Sequence, residues 1–258
     1  MPARIHHTAV VSEGAELHDT VQVGPYAVIG PSVRLGEETT VGAHAIIEGI
    51  TTLGSRNRVF PHAAIGLEPQ DLKYGGEPTR LEIGDQNVFR EFCTVHIGTG
   101  GDGVTGVGNR NLVMAYAHIA HDCRLGDGNV LANSATLAGH VQVDDHVTLG
   151  GLVGVHQFVR IGSYAFISGG SMVAMDIPPY CMAQGDRAAL VGLNAVGLAR
   201  HGFDKGRVRR IKSAYRTIFR SALGLKEALA QVRAELGDDE DIARLVSFVE
   251  QSERGVTR

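Results

Sequence analysis

The feature that most constrains this chain is a period of six. Every sixth residue from Ile5 is aliphatic: Val11, Leu17, Val23, Ile29, Leu35, Val41, Ile47, Leu53, Val59 and Ile65. The phase resumes at Ile83, Phe89 and Val95. It resumes again at Val107 and runs through Val113, Ile119, Leu125, Leu131, Leu137, Val143, Leu149, Val155, Ile161, Ile167 and Val173. A helix would scatter these positions around its circumference. A hexapeptide β-helix gathers them in its core: each six residues make a short strand and a corner, three such units make a coil, and residues eighteen apart become vertical neighbours. The position two before the anchor is often small or β-branched (Ala27, Val33, Ala45, Ala63, Ala117, Ala135), as an inward filler should be, and Cys93 and Cys123 share it. Gly often follows the anchor, as at Gly24, Gly30 and Gly36, where it is expected to ease the corner.

Two segments break the period, LEPQDLKYGGEPTR at 67–80 and GTGGDGVTG at 98–106. Loops that leave a rigid frame are where function concentrates, although surface insertions are also tolerated at little cost. The repeat stops after Val173, and Asp176-Ile-Pro-Pro-Tyr180 punctuates its exit. Helical patterns follow over 207–222, with Val208, Ile211, Tyr215, Ile218 and Phe219 on one face, over 225–236 and over 241–250. The expected organisation is a parallel β-helix over 1–180, carrying loops at 67–80 and 98–106, and a C-terminal α-helical domain over 187–258.

Composition excludes several classes. A net charge of −4 gives no chain-wide basic footprint for nucleic acid. No apolar run is long enough to span a membrane, so no stable membrane insertion is expected. The start MPARIHHTAV lacks the pattern of a secretory leader. Three scattered cysteines suit a reducing compartment, which makes the cytoplasm the expected location. The stretch 200–226 carries nine basic residues against Asp204 alone, either as a solvated face or as a docking patch for an acidic partner; Arg207, Arg210 and Arg216 are the candidates.

Of twelve histidines, His6, His7, His18, His44 and His62 are expected on the surface, whereas His96, His118, His121, His140 and His156 fall together on the later coils. The eighteen-residue lap sets Gly139 over His121 and His140 over Asp122. Three readings stay open: a general base with a carboxylate fixing its tautomer, a zinc site of converging imidazoles, or a structural groove lining.

The segments AHIAHDC (117–123), LANSATLAGHV (131–141), GGLVGVHQF (150–158), QDLKYGGEPTRLEIGD (70–85) and IPPYCMAQGD (177–186) resemble the bacterial acyl-ACP–UDP-N-acetylglucosamine O-acyltransferases of lipid A biosynthesis. The resemblance covers essentially the whole chain. It implies a left-handed β-helix with a helical tail, assembled as a homotrimer with its active site between subunits. The implied reaction moves a 3-hydroxyacyl chain from acyl carrier protein to the sugar 3-OH, with no cofactor and no metal. It also implies His121 as general base, Asp122 as its orienting partner and the Gly139 N–H as oxyanion donor. Asp71, Lys73, His96, His118, His140, His156 and Gln157 match positions lining the donor and sugar-nucleotide sites, and Asn194 and Arg200 match contacts to the UDP portion. Acyl carrier protein is acidic in this family, which favours a docking role for the basic tail. Val196, His201 and Ile97 depart from the pattern, where Glu, Arg and Arg are common. The alternatives are a zinc-binding solenoid of carbonic anhydrase type, a different sugar-nucleotide acyltransferase, and a non-catalytic scaffold.

Overall fold

In the computed structural model, which describes residues 3–100 and 103–258, the period becomes three parallel sheets that form the faces of a left-handed prism. Face A begins with Arg4–Ile5, face B with Val10–Val11 and face C with Glu16–Leu17. Most strands are only two residues long, and the pairing His118↔Thr136, Ile119↔Leu137 displays the eighteen-residue lap. From Val23 onward the anchors fill the interior, with Ile29, Ile47, Ile65, Ile119, Leu131, Leu137 and Leu149 all buried; Ile5, on the first coil, is exposed. Cys93 and Cys123 are buried among them, and burial pushes both thiols up to about 12.

The corners turn by a different device from the one expected. Among the described residues seventeen non-glycines have positive φ, and all but Tyr180, which lies past the end of the repeat, stand three places after an anchor: Tyr26, His44, His62, Phe92, Tyr116, Asp122 and His140 are examples. Apart from Gly66, where the first insertion leaves the coil, the glycines that directly follow an anchor do not take that conformation. They make room for the next coil, since a Cβ on Gly36 would lie 2.6 Å from the Gly54 carbonyl and one on Gly42 would lie 2.7 Å from the Pro61 nitrogen. A left-handed non-glycine costs about 1–2 kcal/mol. Stacking across coils offsets part of that at the A–B corner, where Tyr26, His44, His62, Phe92 and Tyr116 form a ladder of rings 4.9–5.1 Å apart.

A second column runs inside the C–A corner. Thr39, Asn57, Asn87, Asn111 and Asn129 are all buried. Asn57 Oδ1 accepts from the Asn87 backbone N–H at 2.9 Å and from its side-chain amide at 3.1 Å, and Asn87 Oδ1 does the same for Asn111 at 2.9 and 3.0 Å. These amides satisfy backbone groups that two-residue strands leave unpaired.

Both insertions leave from the B–C corner, on consecutive coils. Ala64 pairs with Thr94 and Thr94 with His118, so these laps are twelve and six residues longer than the standard one. The two excursions are tied together: the buried Thr79 hydroxyl donates to the Gly98 carbonyl at 2.6 Å, and the Ile97 N–H to the Leu67 carbonyl at 3.2 Å.

Face A continues past the end of the period. Strand Cys181–Gln184 pairs with Phe166–Ile167 and then, antiparallel, with Ala189–Leu193. Four helices follow: α1 (Ala195–Arg200), α2 (Lys205–Arg220), α3 (Leu225–Leu236) and α4 (Glu240–Glu250). The first was not expected, because six residues are too few to show a helical period. α2 buries Ile211, Ala214, Tyr215, Ile218 and Phe219. Asp241 locks the tail onto the solenoid, accepting from the Tyr180 hydroxyl at 3.0 Å and Arg207 Nη2 at 2.8 Å. Among the described residues no helix is long and apolar enough to cross a membrane.

Candidate active site

The B–C corner and the adjoining face B collect five of the twelve histidines: His96, His118, His121, His140 and His156. Asp122 takes the left-handed corner position (φ 58°), which a short polar side chain tolerates well. This directs His121 and Asp122 against each other, with His121 Nδ1 2.8 Å from Asp122 Oδ2. The same carboxylate accepts from the Thr99 hydroxyl at 2.6 Å and from the Thr99 N–H at 3.1 Å to each oxygen, while the Asp122 N–H donates to Thr105 Oγ1 at 2.8 Å. Burial raises the Asp122 carboxyl, but the hydrogen bonds from Thr99 and His121 outweigh it and hold the group below the usual carboxylate range. An ionised Asp122 therefore keeps the imidazole proton on Nδ1 and leaves the Nε2 lone pair free. Nε2 faces loop 67–80, with Asp71 Oδ2 3.9 Å away.

One rung above lies Gly139. A Cβ there would sit 2.6 Å from His121 Nε2, so the ring occupies the space a side chain would need. Among the described residues the Gly139 N–H has no hydrogen-bond acceptor. Gly139 itself packs against the imidazole. In the same column, one lap further, is Gln157.

The other histidines surround this pair. His140, also left-handed, brings Nε2 to 3.6 Å from Asp122 Oδ2, meets the His121 ring edge-on at 5.2 Å and stacks on Phe158 at 4.6 Å. His118 lies 2.6 Å from Thr94 Oγ1 and edge-on to His96 at 4.9 Å. Burial, with His118 and His121 nearby, lowers His96 to about 4; burial and His121 also lower His118. Both are neutral at physiological pH and offer hydrogen bonds rather than charge. His96 Nδ1 is buried without a partner. His156 is exposed, 3.2 Å from Arg254 Nη2. Lys73 extends from loop 67–80, its own N–H donating to Asp71 Oδ1 at 2.9 Å. A groove of about 990 Å³ runs from Asp122 and His140 past Phe158 to Gln251 and Arg254.

Asn194 and Arg200 are not brought to this corner within one chain. Asn194 caps α1, accepting from the Gly197 N–H at 3.0 Å and donating to the Tyr164 carbonyl at 2.9 Å, which places it at the C–A corner. Arg200 is exposed in the last turn of α1. The neighbouring His201 lies tilted against His146 at 4.7 Å and edge-on to Tyr164 at 5.3 Å, Val196 is exposed, and Ile97 is buried. On α2, Arg207 is engaged by Asp241 and lies over the Phe203 ring, Arg210 pairs with Asp239 at 2.6 Å, and Arg216 is exposed with no acidic partner among the described residues. Thr99 and Thr105 escaped the sequence reading; their only signal was membership of a segment that breaks the period.

His121, Asp122 and His140 each present one donor atom within 4.8 Å of the others, the arrangement a cation site would need. The chemistry of the set does not suit zinc. Asp122 already accepts from Thr99 and His121, and a metal on His121 Nδ1 would have to replace the proton that bonds to Asp122.

A family model described as UDP-N-acetylglucosamine O-acyltransferase, domain 2, matches residues 176–257, and a bacterial transferase hexapeptide model matches 14–49 and 105–139. The acyl-[acyl-carrier-protein]–UDP-N-acetylglucosamine O-acyltransferase of Myxococcus xanthus is 56% identical, over 99% of this chain and 100% of its own length. LpxA from Acinetobacter baumannii superposes with a TM-score of 0.95 at 42% identity, over 98% of this chain and 99% of that one. The UDP-N-acetylglucosamine acyltransferase of Francisella novicida gives 0.95 at 40% identity, over 98% and 94%. Parallel coils, a helical tail and full-length identity all agree, and the chain belongs to the acyl-ACP–UDP-N-acetylglucosamine O-acyltransferase family.

Proposed function

We propose that this protein transfers a 3-hydroxyacyl chain from acyl carrier protein to the 3-OH of UDP-N-acetylglucosamine, the first step of lipid A biosynthesis, with His121 as general base. The observation that carries the reading is the pairing of an imidazole whose Nδ1 is committed to Asp122 with a glycine, Gly139, that packs against the ring and has an unpaired N–H.

His121 Nε2 takes the proton from the sugar hydroxyl as its oxygen attacks the thioester carbonyl. Asp122 stays ionised and stabilises the imidazolium. The Gly139 N–H donates to the oxyanion of the tetrahedral intermediate. The attack has already formed the ester C–O bond; collapse of the intermediate restores the carbonyl and breaks the C–S bond, and the proton on His121 leaves with the carrier thiol. A positioned base contributes about 10²- to 10⁴-fold, and one oxyanion donor about 10²- to 10³-fold. Asp71, Lys73, His96, His118, His140, His156 and Gln157 line the donor and sugar-nucleotide sites around this pair.

Asn194 and Arg200 reach the nucleotide from a second copy. They sit at the C–A corner, His121 at the B–C corner, and a three-fold arrangement of prisms brings one corner of a chain against the other corner of its neighbour. The working form is accordingly a homotrimer in the cytoplasm, where its carrier-bound donor resides. The acidic carrier docks on α2. Arg216, exposed and without an acidic partner, leads that contact; Arg210 is part-committed to Asp239 and Arg207 serves chiefly to hold Asp241.

The test is product formation from labelled UDP-N-acetylglucosamine and a 3-hydroxyacyl carrier protein. The reading expects an O-acylated sugar nucleotide that requires both substrates. Absence of product from folded, trimeric protein with both present would contradict it. Arg216→Glu should raise KM for the carrier several-fold, flatten its salt dependence and leave KM for the sugar nucleotide unchanged; an unaltered carrier KM would remove the docking surface from the account.

A further inference from the structure

Segment 98–106 looks like a tolerated insertion, yet it closes on Asp122 from two sides. Its neck pinches where two glycines meet: a Cβ on Gly98 would lie 2.5 Å from the Val104 nitrogen and 2.6 Å from the Gly103 carbonyl. Below, the buried Thr79 hydroxyl fixes the Gly98 carbonyl at 2.6 Å. The next residue, Thr99, is thereby held over Asp122 with hydroxyl and N–H both aimed at its carboxylate, and the fully buried Thr105 on the returning strand accepts the Asp122 N–H at 2.8 Å. Thr99 Oγ1 and His121 Nδ1 bond to the same oxygen, Oδ2, at 2.6 and 2.8 Å.

We propose that Thr99 is a positioning residue for acyl transfer: its hydroxyl shares Asp122 Oδ2 with His121 and so fixes both the ring's orientation and how much of the carboxylate charge the ring receives. The inference rests on the reading of His121 as base. A carboxylate that divides its charge between two donors stabilises the imidazolium less than one bonded to the ring alone. Without the Thr99 hydroxyl, Oδ2 no longer divides its charge with that donor and the ring loses the neighbour that fixes its orientation on the carboxylate. The other ionisable groups facing this ring are Asp71, His140, His118 and His96; each is left in place by a change at Thr99, so a shift between variants reports on the Thr99–Asp122 bond.

The experiment compares Thr99→Val, which keeps the shape and removes the hydroxyl, with Thr99→Ser, which restores it. For Thr99→Val we expect kcat to fall about tenfold, KM for UDP-N-acetylglucosamine to stay within about twofold, and the acid limb of kcat/KM to move to higher pH by about half a unit or more. Thr99→Ser should regain most of the rate and the original limb. A Thr99→Val enzyme with wild-type rate and an unmoved limb overturns the proposal, as does a Thr99→Ser enzyme as impaired as Thr99→Val. His121→Ala serves as the control: if it retains turnover the base assignment has failed, whereas an inactive His121→Ala beside an unaffected Thr99→Val defeats the Thr99 inference alone.

Discussion

A methyl group at Gly139 would occupy the seat of the His121 ring, at 2.6 Å from Nε2. Gly139→Ala should therefore displace the imidazole while sparing the core, with kcat lowered about 10²-fold and melting temperature almost unchanged. A loss of stability without loss of turnover would show that the glycine serves packing instead. His96 makes a separate prediction. Its pKa falls from the ordinary 6.5 to about 4 because burial, then His118 and His121, disfavour its charged form. The unfolded chain binds that proton more readily, so the contribution to stability is complete above pH 6.5 and is lost as pH falls toward 4. His96→Met should flatten the fall in melting temperature across that window; an unchanged acid profile would mean that other groups govern it. At this scale the sequence was informative wherever a residue belonged to the repeat. Eighteen-residue spacing alone sets Gly139 beside His121 and His140 beside Asp122. Thr99 has no such address, because a residue in an excursion from the coil is placed by the path of its loop.

At the scale of elements, the six-residue period predicts the strands but not what closes the corners. Most left-handed positions fall three after an anchor and carry residues as varied as His, Tyr, Phe, Asp and Arg, with Gly at only a few of them such as Gly128 and Gly170, so composition gives little hint of them. The buried asparagines were hidden for a related reason: Asn at an inward position reads as a break in an apolar pattern until its amide is seen pairing with the coil above. Asn87 sits at the centre of that column, bonded to Asn57, to Asn111 and, at 2.9 Å, to the Gly108 carbonyl. Removing it strands buried donors and acceptors, and Asn87→Ala should cost about 2–4 kcal/mol. Denaturant unfolding checks this, and a cost near zero would mean that water takes over the column. The helix α1 escaped prediction because its cap, Asn194, marks a start with too few residues behind it to show a face.

For the whole molecule, the fold class was legible because one period repeated over most of the chain admits one architecture. The tail was legible as helices but not in its attachment, which rests on residues distant in sequence: Tyr180, Arg207 and Asp241. Asp241 is buried while Arg207 is part-exposed; Asp241→Ala leaves the buried Tyr180 hydroxyl without its acceptor, at a cost of about 1–3 kcal/mol, and should loosen the helices from the solenoid and lower the melting temperature of the tail before that of the coils. The site was legible in part. Its B–C half follows from the lap, whereas the placement of Asn194 and Arg200 on another corner depends on how the tail folds back. The account as a whole turns on one atom, Nε2 of His121. The most direct measurement is kcat/KM of His121→Ala in acyl transfer to UDP-N-acetylglucosamine, made on protein whose fold and assembly match the wild type. The account predicts a loss of about 10²-fold or more. A rate within a few-fold of wild type would contradict it.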